Sequence, residues 1–173
     1  MGRASGRFEG SSASEVSKGS EHVRPGQHLT VGAFLPYWEL PAAPGRSVAL
    51  RPRGREATVV MRVHSAACAE CRRYLAEVAT AASDLAAWDG RVIPLVPGPL
   101  GEAEALRGAL ALPFAVASEA LDQAPLVDGV GVIIADRYGQ VYDVLEARTG
   151  HDVLPAPREL EEWLRFLATQ CPE

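Results

Sequence analysis

A cysteine pair at a predicted strand-to-helix junction constrains this chain more than any other feature. Residues 57–64 (ATVVMRVH) are rich in β-branched residues and mostly apolar, as expected for a central strand. After a short connection, a helix is predicted from Cys68 to Ala87. Its apolar positions recur at spacings of three and four and share one face: Cys71, Leu75, Val78, Ala82 and Leu85. The chain is therefore expected to contain a βα unit with Cys68-Ala-Glu-Cys71 at the start of the helix.

The remaining pattern predicts an α/β domain, in which a central mixed β-sheet is flanked by helices on both faces. Further strands are predicted at 48–50, 91–96, 114–117, 130–135 and 140–146, and further helices at 101–112 and 158–169. Pro94 suggests that its strand lies at an edge of the sheet or ends early. Gly90 is expected to end the long helix in a left-handed conformation, and Gly139 to supply a positive φ in a hairpin turn.

Composition limits the domain organisation and the partners. Residues 1–27 are rich in Gly, Ser, Arg and Glu and predict a disordered tail, while residues 28–173 have enough apolar residues for one domain. The net charge of −5 argues against a nucleic-acid partner, because phosphates require a basic face. The sequence has neither an apolar run of 18 residues nor the apolar core of a secretory signal, so we expect no membrane span and a cytoplasmic location.

The position of the cysteine pair predicts thiol chemistry. A cysteine at a helix N-terminus lies near free backbone N–H groups and the positive end of the helix dipole, which stabilise a thiolate. Cys68 would attack a disulfide, and Cys71, one turn further on, would resolve the mixed disulfide. The charge of Glu70 would oppose thiolate formation. His64 could supply a proton or stabilise the thiolate, or simply end the strand with a hydrogen-bonded ring.

Metal binding is the alternative use of a CxxC motif, since such a motif is half of many zinc sites. A structural zinc needs four ligands, and the sequence contains neither a second CxxC nor an HxxxH. His151 and Cys171 are remote in sequence. The sequence therefore favours a redox pair with no cofactor and no metal. A metal carrier using Cys68, Cys71 and His64, or a non-catalytic sensor or binding module, stays as the alternative.

Four segments resemble the thioredoxin superfamily, and in particular its redoxin branch, the alkyl hydroperoxide reductase and thiol-specific antioxidant group. Residues 63–71 (VHSAACAEC) resemble an apolar strand running into W-C-x-x-C. Residues 31–41 (VGAFLPYWELP), 114–119 (FAVASE) and 133–139 (IIADRYG) resemble the peroxiredoxin patterns VGxxAPxFxLP, FPxLSD and FIIDxxG. The resemblance covers residues 29–169. It implies a thioredoxin-like fold and a thiol–disulfide oxidoreductase that acts on protein or small-molecule thiols and disulfides.

Departures from the family patterns rank the possible activities. Gly131 stands where thioredoxins have a cis-proline, and Ala67 replaces the aromatic residue before the first cysteine. In the peroxiredoxin pattern P-x-x-x-T/S-x-x-C, Ser65 matches the hydroxyl position but Met61 replaces the proline. A peroxiredoxin-like peroxidase with Cys68 as the peroxidatic thiol is therefore the second hypothesis, and Ser65 is alternatively a loop residue or a helix cap.

Overall fold

The computed structural model describes residues 28–119 and 125–170, so the predicted tail 1–27 and Cys171 lie outside the described residues. The elements in chain order are β1 Glu39–Ala43, β2 Arg46–Ala49, β3 Ala57–Arg62, α1 Ala69–Thr80, α2 Ala82–Ala87, β4 Gly90–Pro97, α3 Leu100–Ala109, β5 Ala117–Glu119, β6 Val130–Ala135, β7 Val141–Ala147 and α4 Pro157–Thr169. None of these helices is long and apolar enough to cross a membrane.

The five strands β3 to β7 form one mixed sheet in the order β5-β4-β3-β6-β7. β3 is parallel to β4, which is parallel to β5, whereas β6 runs antiparallel to both β3 and β7. β1 and β2 pair antiparallel in a separate hairpin. β3 is thus the central strand, as its apolar sequence predicted, and the five-stranded sheet flanked by helices confirms the predicted α/β class with a central mixed sheet.

Side chains of β3 alternate between two hydrophobic clusters, which explains its nearly continuous apolar sequence. Val59 and Met61 belong to the first cluster, together with the buried side chains of all four helices. Val60 belongs to the second, which is built from strand residues and from the N-terminal segment around Leu29 and Leu35. Because both faces of β3 are packed, its carboxyl end is a rigid support for the residues that follow.

The long helix predicted for residues 68–87 is two helices. Cys68 is extended (φ −64°, ψ 115°) and precedes α1 as its N-cap residue. Ala81 separates α1 from α2 with φ −93° and ψ 4°, and its N–H donates to the carbonyl of Val78 at 3.1 Å. Leu85 on α2 is buried, as the apolar spacing predicted.

Two predictions about single residues of β4 were wrong. The left-handed residue after α2 is Asp89 (φ 52°), and Gly90 is already the first residue of the strand. Pro94 lies in an inner strand, because β4 pairs with both β3 and β5. The backbone carbonyl of Leu95 points toward β3, where it accepts the N–H of Val63. The backbone nitrogen of Pro94 therefore points toward β5. The ladder with β5 begins only at Leu95, one residue after the N–H that Pro94 lacks.

Smaller differences concern the segments after β4. The strand predicted at 114–117 is shifted to β5, and the helix predicted at 101–112 ends at Ala109 because Ala111 adopts a left-handed conformation (φ 48°). The hairpin between β6 and β7 has the predicted positive φ at Gly139 (81°). Pro157 starts α4, as its preference for the first helical turn predicted.

Replacing Gly90 by alanine tests the packing between β4 and the helices. A Cβ at this position would lie 2.7 Å from the carbonyl oxygen of Leu85 and would overlap the side chain of Leu164. We expect Gly90→Ala to lower the free energy of unfolding by about 1–3 kcal/mol, measured by urea denaturation. The matched control is Gly108→Ala in α3, where nothing lies within 4 Å. It should leave stability unchanged or raise it by about 1 kcal/mol. Equal stability of the two variants would contradict this packing.

Candidate active site at the carboxyl end of the central strand

Cys68 is held at the N-terminus of α1 by backbone contacts on both sides. The Cys68 N–H donates to the carbonyl of Ser65 at 3.3 Å, and the Cys68 carbonyl accepts the N–H of Arg72 at 3.0 Å. The guanidinium of Arg72 also donates to the carbonyl of Ala66 at 3.3 Å, which ties the connecting loop to the helix. The strand-to-helix placement predicted for the CxxC motif is confirmed. Because no side chain caps α1, its first N–H groups remain available to a sulfur anion.

The two cysteines differ in exposure. Cys68 is half-buried, whereas Cys71 is 1% exposed and packs in the first hydrophobic cluster. Burial raises the pKa of the Cys71 thiol to about 11, against a smaller lowering by a hydrogen bond from the His64 backbone. Cys71 is therefore a neutral thiol near pH 7, and Cys68 is the sulfur that a substrate can approach.

His151 lies against both sulfurs, a contact that the sequence analysis missed. Its Nε2 atom is 3.3 Å from Sγ of Cys68 and 3.4 Å from Sγ of Cys71. The residue belongs to the connection between β7 and α4. A turn holds it there, in which the Leu154 N–H donates to the His151 carbonyl at 3.0 Å and the His151 N–H donates to Oδ1 of Asp152 at 3.1 Å. The candidate site therefore combines two thiols with an imidazole.

Strand topology explains why a residue so distant in sequence arrives here. β6 is antiparallel to β3 and to β7, so β3 and β7 both run in the same direction. In the register, Gly131 of β6 lies between Arg62 of β3 and Glu146 of β7. The segments after β3 and after β7 therefore leave the sheet at the same edge. Combining the predicted hairpin with the predicted central strand could have indicated the loop, although not the individual histidine.

His64 completes a cluster of four side chains. Its Nδ1 atom is 3.1 Å from Nε2 of His151, and the two rings meet edge to face with centroids 4.8 Å apart. One ligand-type atom from each of His64, Cys68, Cys71 and His151 lies within 4.8 Å of the other three. The sequence analysis favoured a redox pair over a metal site partly because His151 is remote in sequence, and the fold brings His151 to the three residues of the metal-carrier alternative.

Ser65 and Glu70 lie beside the cluster without contacting the sulfurs through a hydrogen bond. Ser65 is a half-buried loop residue, and its interpretation as a helix cap was wrong because Cys68 occupies the N-cap position. Glu70 is exposed and pairs with Arg73 at 2.5 Å, which holds the pKa of its carboxyl below the usual range. Much of the charge that Glu70 was expected to set against a thiolate is therefore balanced by Arg73.

Gly131 is explained by backbone packing in the sheet. A Cβ at this position would lie 2.6 Å from the carbonyl oxygen of Leu145 and 3.0 Å from the side chain of Val127. No cis peptide bond occurs in residues 28–119 and 125–170. The position that resembles the thioredoxin cis-proline is thus filled here by a trans glycine in a tightly packed inner strand.

A buried ion pair at the end of β3 is a second feature that the sequence analysis missed. The Arg62 Nε donates to Oε2 of Glu119 at 2.7 Å, and Arg62 also donates to the carbonyl of Gly129. The side chains of Arg62 and Glu119 are 14% and 5% exposed. Within the described ranges, no arginine hydrogen-bonds to either sulfur, and Met61 is buried in the core. The cation that would polarise a peroxide beside Cys68 is not part of this arrangement.

Comparison with solved structures identifies the fold. A Mycobacterium tuberculosis peroxidoxin, BcpB, superposes with a TM-score of 0.66 at 14% identity, covering 81% of this chain and 99% of that one. The same organism's AhpC gives 0.66 at 18% identity, with 83% and 95% covered. The fold is thioredoxin-like.

A disulfide oxidoreductase shares this fold as well. The secreted M. tuberculosis enzyme, described as homologous to E. coli DsbE, superposes with a TM-score of 0.58 at 11% identity, covering 76% of this chain and 96% of that one. No protein-family model matches the sequence, and no curated protein is significantly similar to it. The thioredoxin-like and redoxin-like resemblance of the sequence is therefore confirmed at the level of the fold.

Alkylation rates test the difference in exposure between the two sulfurs. In a Cys171→Ser background, so that only the site thiols react, iodoacetamide should modify Cys68 at least about tenfold faster than Cys71 near neutral pH, because only the thiolate attacks. Peptide mass spectrometry after timed quenching measures both rates in one sample. Equal alkylation rates of the two cysteines in the native protein, with both rates raised together in denaturant, would contradict this arrangement.

Proposed function

We propose that this chain is a thiol–disulfide oxidoreductase, in which Cys68 is the attacking thiol and Cys71 the resolving thiol. The observation that carries the proposal is the position of His151 Nε2, 3.3 Å and 3.4 Å from the two sulfurs, beside a cysteine at a helix N-terminus. One imidazole within reach of both thiols can accept the proton of each in turn. The thioredoxin-like fold supports the proposal, because proteins described as disulfide oxidoreductases share it.

The first step is attack of the Cys68 thiolate on one sulfur of a substrate disulfide. A new S–S bond joins Cys68 to the substrate, the substrate S–S bond breaks, and the leaving sulfur takes a proton to become a thiol. The proton comes from the imidazolium that His151 formed when it accepted the Cys68 proton. The N-terminus of α1 stabilises the attacking anion in the meantime.

The second step is attack by Cys71 on the Cys68 sulfur. His151 accepts the Cys71 proton, the Cys68–substrate bond breaks, and the second substrate thiol leaves with that proton. The protein loses two electrons and two protons and becomes a disulfide, and the substrate gains both. Burial makes Cys71 a poor attacker of external molecules, so the sulfur that it can reach is that of Cys68.

A cavity of about 250 Å³ borders this site and is lined on one side by His151 and Leu154 and on the other by Arg73, Tyr74 and Glu77 of α1. Its small size and its charged walls suit part of a peptide or a small thiol better than a bulky apolar ligand. We propose protein or small-molecule disulfides as substrates. We also propose that the chain works in a reducing compartment such as the cytoplasm, which would return the Cys68–Cys71 disulfide to the dithiol. The contacts of Cys68 do not favour a peroxidase, because its polar neighbour is an imidazole and not a guanidinium.

Reaction with 5,5′-dithiobis(2-nitrobenzoate) tests the two-step scheme. In the Cys171→Ser background, the reduced protein should release two equivalents of nitrothiobenzoate and end two hydrogens lighter, without an adduct, because Cys71 displaces the second equivalent. Cys71→Ser should release one equivalent and keep the mixed disulfide on Cys68. Absorbance and intact mass measure both results. Two stable adducts on the Cys171→Ser protein would contradict resolution by Cys71.

The role of His151 has a separate test in the same assay. His151→Gln should slow release of the second equivalent by about 100-fold, the typical contribution of a positioned base, and raising the pH should restore much of the rate. His28→Gln is the matched control, because the described contacts of the His28 ring are with Asp128 and Glu146 and not with either sulfur. Equal second-step rates in the two variants would exclude His151 as the proton acceptor.

A further inference from the structure

We propose that the reduced site binds Zn²⁺, with Cys68, Cys71, His64 and His151 as its four ligands. The metal site stands on the geometry of the cluster. Its coupling to disulfide chemistry, described below, rests on the proposed function. Among the residues that the structure describes, none of the four side chains takes part in a salt bridge, so they are free to converge on one ion.

Distances within the cluster are close to those of a tetrahedral ligand shell. With Zn–S bonds of about 2.3 Å and Zn–N bonds of about 2.0–2.1 Å, the ligand atoms of a tetrahedral site lie about 3.3–3.8 Å apart. His151 Nε2 is 3.1, 3.3 and 3.4 Å from the other three candidate atoms. All four lie within 4.8 Å of one another, so that small side-chain rotations close the shell.

Hydrogen bonding alone does not explain why three polar atoms approach a single imidazole nitrogen. Nε2 of a neutral histidine carries either one proton or one in-plane lone pair, so it makes one good hydrogen bond. Nδ1 of His64 and both sulfurs nevertheless surround His151 Nε2 at contact distance. A cation between the four atoms accepts one lone pair from each of them at once, and every atom of the cluster then has a partner.

The chemistry of the ligands selects the ion. Two thiolates and two neutral imidazoles form a soft to borderline set that suits Zn²⁺ and gives a complex with no net charge, which is compatible with the burial of Cys71. Mg²⁺ and Ca²⁺ require oxygen ligands, and none of the four atoms is an oxygen. Glu70, the nearest acidic residue on α1, is paired with Arg73. With four protein ligands the shell is closed, as in structural and storage sites.

Metal binding and disulfide formation exclude each other, because both use the same two sulfurs. Oxidation of the zinc-bound dithiol by a substrate disulfide forms the Cys68–Cys71 bond, converts the substrate into two thiols with uptake of two protons, and releases Zn²⁺. The two electrons come from the thiolates, and zinc does not change its oxidation state. The site would thus couple the redox state of the pair to the release of a metal ion.

Anaerobic titration of the reduced full chain with Co²⁺ and then Zn²⁺ tests the site. Co²⁺ should give the strong visible bands of tetrahedral coordination and near-ultraviolet thiolate charge transfer at one ion per chain, and Zn²⁺ should abolish both. His151→Gln and His64→Gln should each weaken Zn²⁺ binding at least about tenfold in competition with a chromophoric chelator, since even residues behind a ligand cost that much. His28→Gln is the control and should bind normally.

The outcomes separate the metal site from the redox function. If His151→Gln and His64→Gln bind Zn²⁺ as tightly as the unchanged chain, the four-ligand site is wrong, while the disulfide exchange assay still stands on its own. If Zn²⁺ binds as expected but added disulfide neither oxidises the pair nor releases the ion, the proposed function fails and the site survives. Release of one Zn²⁺ per Cys68–Cys71 bond formed, followed with a fluorescent zinc indicator, supports both.

Discussion

The register of β6 against β3 and β7 is the constraint on which the rest of the site depends. It sets Arg62, Gly131 and Glu146 side by side and sends the chain off the sheet at one edge after both β3 and β7. The first exit carries His64 and the cysteine pair, and the second carries His151. A Cβ at Gly131 would meet the Leu145 carbonyl, so the close approach of these strands requires a glycine at that point. The strand register of the sheet therefore determines that His64, the two cysteines and His151 meet in one site.

The two cysteines occupy different environments although they are three residues apart. Cys68 is half-buried at a helix N-terminus, while Cys71 faces the core, where burial raises the pKa of its thiol. This asymmetry orders the proposed exchange reaction, because only one sulfur meets the substrate. The same sulfurs with two imidazoles make a closed set of soft ligands. The proposed thiol exchange and the proposed metal binding would thus compete for one cluster, with the redox state of the pair deciding between them.

Local sequence patterns were sufficient for the elements that position the cysteines. The apolar run 57–64 identified the central strand, and the helical spacing of Leu75 and Val78 identified the buried face of α1. Gly139 marked the hairpin, and Pro157 the start of α4. In each case the signal is local, because turn geometry and the periodicity of burial are set by neighbouring residues.

Long-range contacts could not be predicted in the same way. His151 reaches Cys68 only through the order of the strands, and the Arg62–Glu119 pair joins two strands that are not adjacent in sequence. Pro94 misled because proline is excluded from inner strands only where its missing N–H is needed, and the neighbouring ladder starts one residue later. Each of these depends on which partner lies opposite a residue.

The reduction potential of the Cys68–Cys71 pair is the most direct test of the central claim that these residues form a reversible redox centre. The protein would be equilibrated with glutathione buffers of graded ratio, in a Cys171→Ser background, then quenched with acid and alkylated for mass analysis. The account predicts one two-electron transition between a dithiol and an internal disulfide. The ratio of dithiol to disulfide should change tenfold for each change of about 30 mV in the buffer potential. Accumulation of glutathione adducts without an internal bond at any ratio would contradict it.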